Sequence, residues 1–269
     1  MTNYLRKRCK NVLMIGKNER MRQHRIYTEN QLETKFHCFD KTAYPTLDEP
    51  VLYLISTNSY SSEAISSFQK LLSTQELEKA SKFRFQQDRH SYIITHAMLR
   101  TILGRYLDLE PVKIEFVSND YQKPSLCEKY KKIHFNLSHS TGLTALAFST
   151  KSEIGVDVEK IDQEFDFDLI AKTHFSAAEN RYLLAKQPNT REMFYKLWTR
   201  KEAFLKAVGT GIGENLGIEV FRKINHFRPE ILFPGFQGKD FYLKSFSYQD
   251  KYMISKAIGY PGSYSLIEL

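Results

Sequence analysis

An α+β protein with two lobes is predicted by three features of this sequence. Apolar runs of strand length occur in both halves of the chain, amphipathic helical segments lie between them, and a short polar joint at residues 150–153 separates the halves. A chain of 269 residues is also long enough to bury a sizeable core. We therefore divide the chain into a basic N-terminal extension at 1–45 and two lobes at 46–150 and 151–269.

Strands alternate with helices in the first half. Residues 62–80 carry apolar side chains at helical spacing, and Ser73 to Glu76 form a capping-box pattern that opens a second short helix. Residues 87–107 place a broad apolar stripe on one face and predict the clearest helix. Strands are predicted at residues 51–56, 114–117, 134–138 and 143–148.

The second half has a similar content. Ser176 to Glu179 form another capping-box pattern, and a long helix at 191–208 is expected to end at Gly209. Strands are predicted at residues 154–159, 217–221, 230–233, 240–248 and 251–257.

The net charge of +8 invites a nucleic-acid hypothesis, but its distribution weakens that hypothesis. Residues 1–44 hold ten Lys and Arg against four Asp and Glu, whereas the remaining 225 residues hold 29 against 27. The body of the chain is therefore nearly neutral. For the Arg-rich N-terminus, an organelle-targeting peptide and a later start at Met14 or Met21 both stay open.

Cysteine usage and hydropathy indicate a cytoplasmic protein. The three cysteines are widely spaced and form no Cys-x-x-Cys pair, so reduced thiols are favoured over a zinc cage or a disulfide framework. No apolar run approaches membrane-spanning length, and the first 25 residues lack the apolar core of a secretory signal. We expect no membrane partner.

Three carboxylates and a lysine form the most informative pattern. Asp157 and Glu159 are two residues apart and share one face of the predicted strand. Glu202 and Lys206 are four apart and are neighbours on the predicted helix. Mg²⁺ takes a few carboxylate oxygens and completes its shell with water and substrate phosphates, which fits this set. Acids at the wet end of a strand and a surface ion pair are the simpler alternatives.

Two other segments are suited to phosphate. The polar run from Asn136 to Ser140 ends a strand with Ser138 and His139, although a turn histidine explains it equally well. A basic cluster precedes the long helix of the first half, with polyphosphate binding or plain solvation as alternatives. The cluster consists of Lys79, Lys82 and Arg84, with Arg100 one face along.

Three of these segments together resemble the 4′-phosphopantetheinyl transferases, specifically the larger, two-lobed, surfactin-synthetase-activating type. They are Phe135-Asn-Leu-Ser-His-Ser140, Gly155-Val-Asp-Val-Glu159 and Trp198-Thr-Arg-Lys-Glu-Ala-Phe-Leu-Lys206, in the family's order and separation. Weaker support comes from Lys82-Phe-Arg-Phe85 with Asp88 and His90, from Lys123-Pro124, and from Phe175-Ser-Ala-Ala-Glu179. The resemblance implies two similar lobes related by pseudo-twofold symmetry, with coenzyme A in the cleft between them.

The resemblance also implies a reaction. Coenzyme A would donate its phosphopantetheine arm to a serine of an apo acyl or peptidyl carrier protein, releasing 3′,5′-ADP. Mg²⁺ would sit on Asp157, Glu159 and Glu202 and neutralise charge on the pyrophosphate. Glu202 would be the base, directly or through a metal-bound water. Lys206 would bind the pyrophosphate and protonate the leaving phosphate.

The remaining coenzyme A contacts follow from the same resemblance. Ser138 would contact the pyrophosphate, and Lys123 with Pro124 would flank the adenine. The 3′-phosphate would be held by His139 together with Lys79, Lys82 or Arg84. Two positions depart from the family's pattern: Gln122 stands where Gly is frequent, and Ser91 stands where Arg is frequent. A monomer is expected, and the carrier itself is not specified by the sequence.

Two competing hypotheses use the same residues or the same charge. A Mg²⁺-dependent phosphohydrolase or nuclease would need the same carboxylates and no carrier protein. A non-catalytic nucleic-acid-binding protein would explain the basic excess. Both are weaker than the transferase hypothesis, under which no nucleic acid is expected as a partner.

Overall fold

The computed structural model is a mixed α/β structure and describes most of the chain. The described residues are 26–27, 47, 50–58, 60–185, 188–211, 217–220, 230–236 and 239–261. Almost all of the predicted N-terminal extension at 1–45 therefore lies outside the described residues. The exception is a short strand, β1 (Ile26–Tyr27), which pairs with the first long strand.

One antiparallel sheet belongs to the first half and has the strand order β1-β2-β6-β5. Its longer strands are β2 (Val51–Ser56), β5 (His134–Ser140) and β6 (Leu143–Ser149). A small hairpin of β3 (Phe116–Ser118) and β4 (Pro124–Leu126) stands apart from this sheet. The helices are α1 (Ser62–Gln69), α2 (Thr74–Ser81) and α3 (Gln86–Leu107).

A second antiparallel sheet belongs to the second half and has the strand order β7-β10-β9-β8. Its strands are β7 (Ile154–Lys160), β8 (Glu230–Phe236), β9 (Lys239–Tyr248) and β10 (Tyr252–Pro261). The helices are α4 (Asp168–His174), α5 (Ala177–Leu184) and α6 (Thr190–Val208).

The same order of elements recurs in the two halves. In the first, β2 precedes the long helix α3 and the hairpin β5–β6, and β2 pairs with β6. In the second, β7 precedes the long helix α6 and the hairpin β9–β10, and β7 pairs with β10. The inner faces of the two sheets share one apolar core, in which Leu52 and Leu54 meet Val156 and Val158. This core holds the two sheets together.

Local sequence signals explain how several helices begin and end. Both capping boxes are present: Ser73 accepts from the backbone of Glu76, and Ser176 accepts from the backbone of Glu179. Gly209 adopts φ 82° at the end of α6, a conformation that glycine adopts without strain. The long helices predicted at 87–107 and 191–208 are confirmed within one residue.

Two predicted strands were wrong at their stated positions. The strand predicted at 114–117 begins only at Phe116, because Pro111 opens a short 3-10 turn at Pro111–Lys113 that precedes it. Residues 217–220 form no strand, and residue 221 lies outside the described residues. Among the described residues, no helix is both long and apolar enough to span a bilayer.

Candidate active site

Side chains of β5 in the first sheet form hydrogen bonds with the backbone N–H groups at the edge of β7 in the second sheet. Alternate residues of β5 point toward β7, and their side-chain oxygens accept hydrogen bonds from alternate backbone N–H groups of that strand. The pairs are Asn136 Oδ1 with Val156 N at 2.9 Å, Ser138 Oγ with Val158 N at 3.4 Å, and Ser140 Oγ with Lys160 N at 3.0 Å. An unpaired strand edge is costly when buried. This side-chain ladder therefore fixes β7, and the carboxylates it carries, against the first half.

Gly155 lets helix α6 lie directly on β7. A Cβ atom built on Gly155 would stand 2.0 Å from the carbonyl oxygen of Ala203 and 2.4 Å from the backbone nitrogen of Ala207. No side chain fits that space, so only glycine permits this approach. The close contact brings the face of α6 that carries Glu202 and Lys206 against the face of β7 that carries the acids.

Three polar groups meet at the centre of the site. Lys206 Nζ donates to Asp157 Oδ1 at 2.7 Å and to Ser138 Oγ at 3.1 Å, while Ser138 Oγ donates to Asp157 Oδ1 at 2.8 Å. Ser138 and Asp157 are buried, whereas the Lys206 side chain keeps 24% of its surface exposed. Lys206 thus pairs with Asp157 of its own half and bonds to Ser138 of the first half. The alternative of a surface pair between Lys206 and Glu202 is wrong, because Glu202 is itself buried.

The other two carboxylates hold their protons unusually tightly. Burial, followed by the negative charge of Asp157, raises the pKa of Glu202 to about 7. Burial and Asp157 also raise the pKa of Glu159 to about 7, although hydrogen bonds from Ser140 and Trp198 oppose that shift. Both shifts have the same two leading causes, burial and the negative charge of Asp157, so the three carboxylates lie near enough to repel one another.

A divalent cation fits the chemistry of this carboxylate group. Asp157 Oδ2 is buried and has no hydrogen-bond partner, although buried polar atoms are normally satisfied. The donors are carboxylate oxygens, which Mg²⁺ prefers, and Mg²⁺ usually keeps several waters, so it needs few protein ligands. Within the described ranges, no three His, Cys, Asp or Glu side chains already form a group that could hold a metal ion. The fit is therefore one of donor type and unsatisfied charge.

His139 lies beside this centre at the accessible end of β5. Its pKa is lowered, first by partial burial of the ring and then by the positive charges of Lys206 and His96. A neutral imidazole next to a lysine can donate a hydrogen bond to an oxyanion through its ring N–H group. Two successive contacts connect His96 with Lys79. The His96 ring stacks on Tyr92 at 4.0 Å, and Lys79 Nζ lies 5.6 Å from the Tyr92 ring centroid.

The rest of the predicted basic cluster divides into exposed and buried members. Lys82 and Arg84 are exposed, and the Arg84 guanidinium lies over the ring of Phe85. Arg100 was assigned to this cluster wrongly, since it is buried and donates to Glu76 Oε2 at 2.7 Å. The Glu76 carboxylate also bonds to His96, and these hydrogen bonds lower its pKa to about 2 despite burial.

Lys123 and Pro124 stand at the β3–β4 hairpin, close to the end of α6. The ammonium of Lys123 donates to the carbonyl oxygen of Ala207 at 2.8 Å. Gln122, where the family frequently has glycine, adopts φ 62°, which is the conformation that glycine adopts without strain. Both Lys123 and Pro124 are partly exposed.

Sequence reasoning missed a buried ion pair behind the site. Lys201 Nζ lies 2.8 Å from Glu179 Oε2, and both side chains are almost wholly buried. Glu179 also accepts from the backbone of Val220 at 3.0 Å, and Lys201 donates to the carbonyl of Ile218. This network ties residues 217–220 to α5 and α6. The sequence showed only the capping-box role of Glu179, whose side chain also accepts from the backbone N–H of Ser176.

Comparisons with known proteins show which family this chain belongs to. A model described as the 4′-phosphopantetheinyl transferase superfamily matches residues 153–260, and a model described as 4′-phosphopantetheinyl transferase, N-terminal, matches residues 59–151. A candidate 4′-phosphopantetheinyl transferase of Synechocystis is 33% identical over 172 residues, which are 63% of this chain and 69% of that protein.

Two further relatives carry the same description. The 4′-phosphopantetheinyl transferase HetI of Nostoc is 35% identical over 55% of this chain and 64% of its own length. The 4′-phosphopantetheinyl transferase Sfp of Bacillus subtilis is 33% identical over 54% of this chain and 63% of its own length. The matched region thus spans about two thirds of each relative.

The chain belongs to the 4′-phosphopantetheinyl transferase family, whose members are enzymes that transfer the phosphopantetheine of coenzyme A to carrier proteins. The transferase predicted from the sequence is confirmed at this level, and the Sfp-type relatives agree with the predicted type.

Proposed function

We propose that this chain transfers the 4′-phosphopantetheine arm of coenzyme A to a serine of an apo acyl or peptidyl carrier protein. The reaction would be Mg²⁺-dependent and would take place at the cluster formed by Ser138, Asp157, Glu159, Glu202 and Lys206. One observation carries the assignment to this cluster. Ser138 from one half meets Asp157 and Lys206 from the other within 3.1 Å, in a site that holds two further carboxylates. A pyrophosphate needs such a combination of cation, hydroxyl and metal-binding oxygens.

The metal would be held by Asp157, Glu159 and Glu202. When bound, Mg²⁺ supplies positive charge to the pyrophosphate oxygens as the P–O bond breaks. The orphaned Asp157 Oδ2 and the raised pKa values of the two glutamates support this assignment, because a divalent cation would offset the repulsion among three carboxylates.

Glu202 would be the base for the carrier serine, and Lys206 the acid. Glu202 would accept the proton of the serine hydroxyl directly or through a metal-bound water. Lys206 would bind the pyrophosphate and protonate the leaving phosphate of 3′,5′-ADP. Its present partners, Asp157 and Ser138, hold the ammonium where Ser138 would also contact the pyrophosphate.

The 3′-phosphate of coenzyme A would be bound by His139 with Lys79, Lys82 or Arg84. The stacked Tyr92 and His96 rings, which link Lys79 to the surroundings of His139, support Lys79 most directly. Lys123 and Pro124 would flank the adenine. Their partial exposure leaves the Lys123 stem and the Pro124 ring open to a ligand while the Lys123 ammonium is directed at α6.

The arrangement of the chain forms part of the same proposal. We assign residues 46–150 and 151–269 to two lobes related by pseudo-twofold symmetry, with coenzyme A between them. The repeated order of strand, long helix and hairpin supports the symmetry, and the family models that meet near residue 152 support the division. A monomeric, cytoplasmic enzyme that needs no nucleic acid remains the prediction.

Intact-protein mass spectrometry tests the function. A panel of apo carrier proteins is incubated with the protein, coenzyme A and Mg²⁺, and each carrier is weighed. We expect a gain of one phosphopantetheine on some carriers, with release of 3′,5′-ADP only when a carrier is present. Release of 3′,5′-ADP without a carrier would favour the phosphohydrolase hypothesis, and no change on any carrier from folded protein would contradict the proposal.

A further inference from the structure

The β3–β4 hairpin tip is organised by a single side chain. Asn119 Oδ1 accepts from the backbone N–H groups of Tyr121 at 3.1 Å and of Lys123 at 2.9 Å. The Asn119 backbone N–H also donates to the Lys123 carbonyl at 3.2 Å, which closes the tip. An asparagine that holds its own turn in this way leaves its amide nitrogen free to bond elsewhere.

The same asparagine attaches the tip to the end of α6. Asn119 Nδ2 donates to the Gly209 carbonyl at 2.9 Å, and Lys123 Nζ donates to the Ala207 carbonyl at 2.8 Å. The last carbonyls of a helix have no partner within it, and a positive charge is favourable there. The tip therefore supplies both a neutral and a charged donor to the C-terminal end of this helix.

The helix end is shaped to receive the tip. A Cβ atom on Gly209 would lie 3.1 Å from Lys123 Cδ and 3.3 Å from Asn119 Nδ2, and one on Gly211 would lie 3.2 Å from the Tyr121 ring. Both glycines also adopt positive φ. The two glycines thus permit the hairpin to pack closely on the turn that ends α6.

The hairpin tip contacts α6 one residue away from Lys206. Ala207, whose carbonyl accepts from Lys123, directly follows Lys206, whose ammonium bonds to Asp157 and Ser138. The first half of the chain therefore holds the last turn of α6 from two sides, through Ser138 at the side chain of Lys206 and through the hairpin at its backbone. Small displacements of a reacting group cost large factors in rate.

We propose that Asn119 and Lys123 are positioning residues for the transfer reaction, which fix the C-terminal turn of α6 and with it Lys206. The inference rests on the proposed function of Lys206. Since Pro124 of the same hairpin is assigned to the adenine, the nucleotide would rest on the element that holds the catalytic helix.

Four variants test this positioning role. Asn119→Asp keeps the acceptor that closes the tip and removes the donor to Gly209. Lys123→Met removes the charge at similar length, and Lys123→Arg restores a cationic donor. Lys131→Met is the matched control, because Lys131 is exposed and pairs only at the surface with Glu128 among the described residues.

The kinetic readout is the division of the effect between kcat and KM for coenzyme A, measured with a carrier that the wild type modifies. We expect Asn119→Asp and Lys123→Met to lower kcat about tenfold while KM changes little, and Lys123→Arg to recover most of kcat. A raised KM at unchanged kcat would overturn the proposal, because it would show that Lys123 only contacts the substrate. A lower Tm with unchanged kcat would also overturn it.

Hydrogen exchange gives a readout that does not depend on activity. The Gly209 amide donates to the Leu205 carbonyl at 2.8 Å, and it should exchange faster in Asn119→Asp and Lys123→Met than in Lys131→Met. Equal exchange rates would overturn the docking. If the wild type modifies no carrier, the proposed function fails instead, and the exchange rates alone then decide whether the hairpin fixes this turn.

Discussion

The strands β2 and β7 hold corresponding places in the two halves, but the faces they turn toward their long helices differ. On β2 that face carries Val51, Tyr53 and Ile55, which join the apolar core of the first half. On β7 it carries Gly155, Asp157 and Glu159, and α6 lies directly on the glycine. The opposite faces of both strands are alike, because both contribute aliphatic side chains to the shared core.

This difference shows that the same topology can support either a core or a functional site. In the first half, the residues that face the helix are apolar, and their burial stabilises the fold. The second half places acids there, and buried acids are unfavourable unless they are paired. The pairing comes from outside β7: Ser138 and Lys206 bond to Asp157, while Ser140 bonds to Glu159. The site therefore depends on contact between the halves.

Loss of the lysine that pairs with Asp157 should have a large effect on rate. Lys206→Met removes the ammonium from Asp157 Oδ1 and from the proposed pyrophosphate position, so kcat should fall about 100-fold. Steady-state kinetics with a modified carrier measures it. Lys172→Met is the matched control, since Lys172 is exposed on α4. Unchanged kinetics in Lys206→Met would mean that this lysine only supports the structure.

A methyl group at Gly155 would place a side chain at a helix-facing position of β7, as on β2, and should separate α6 from β7. In Gly155→Ala the new Cβ would meet the backbone of α6, not a flexible side chain, so the helix must move. We expect the free energy of unfolding to fall by about 1–3 kcal/mol and kcat to fall with it. Denaturant titration measures the first effect.

Gly217→Ala is the control for this substitution, because nothing lies within 4 Å of a Cβ at that position. If Gly155→Ala were as stable and as active as Gly217→Ala, the close approach of α6 would play no part in building the site.

The stability of the protein should depend on pH because of the carboxylates on β7 and α6. Burial and Asp157 raise the pKa of Glu159 and of Glu202 from 4.5 to about 7, so between these values the folded state binds more protons than the unfolded state. These two groups therefore make the metal-free protein less stable as pH rises from about 5 to about 8. Mg²⁺ at the higher pH should restore stability, since it binds the deprotonated carboxylates.

Thermal unfolding in EDTA and in Mg²⁺, at both pH values, measures this effect. Glu202→Gln removes one of the two titrating groups and should flatten the dependence. If, in EDTA, the stability of the wild type rose with pH relative to the stability of Glu202→Gln, the raised pKa values would be contradicted.

The smallest effect is expected on the apolar face of β2. Tyr53→Phe removes the hydroxyl that lies 2.8 Å from the Tyr106 hydroxyl, which should cost about 1 kcal/mol of unfolding free energy and leave kcat unchanged. Denaturant titration and the transfer assay measure the two quantities. A loss of activity larger than the loss of stability would show that the first half contributes more than support.

Local patterns predicted the elements whose signals are contained within one segment. The capping boxes at Ser73 and Ser176 and the stop at Gly209 each depend on residues a few positions apart, and all three are present. The spacing of Asp157 with Glu159 predicted a shared face in the same way, and the two carboxylates are close enough to raise the pKa of Glu159. The strand predicted at 217–221 failed because Glu179 and Lys201 bind that segment instead.

Contacts between distant segments could not be predicted. Arg100 was placed beside the predicted basic cluster, with polyphosphate binding and solvation as alternatives, yet Glu76 pairs with it in the core. The Lys123 ammonium bonds to a carbonyl 84 residues away. Nothing in the neighbouring sequence specifies either partner, because both depend on how the helices pack. The alternation of Asn136, Ser138 and Ser140 was a visible signal for the ladder to β7, but its partner strand was not.

The central claim is that the acidic face of β7 and α6 performs the transfer, and one comparison tests it most directly. The rate of phosphopantetheine transfer to a carrier is followed by intact mass for the wild type, Asp157→Asn, Glu202→Gln and the control Glu192→Gln, which alters an exposed glutamate of the same helix, at saturating coenzyme A and Mg²⁺. We expect both site variants to fall at least about 100-fold while Glu192→Gln keeps the wild-type rate. Wild-type rates in folded Asp157→Asn or Glu202→Gln would contradict the claim.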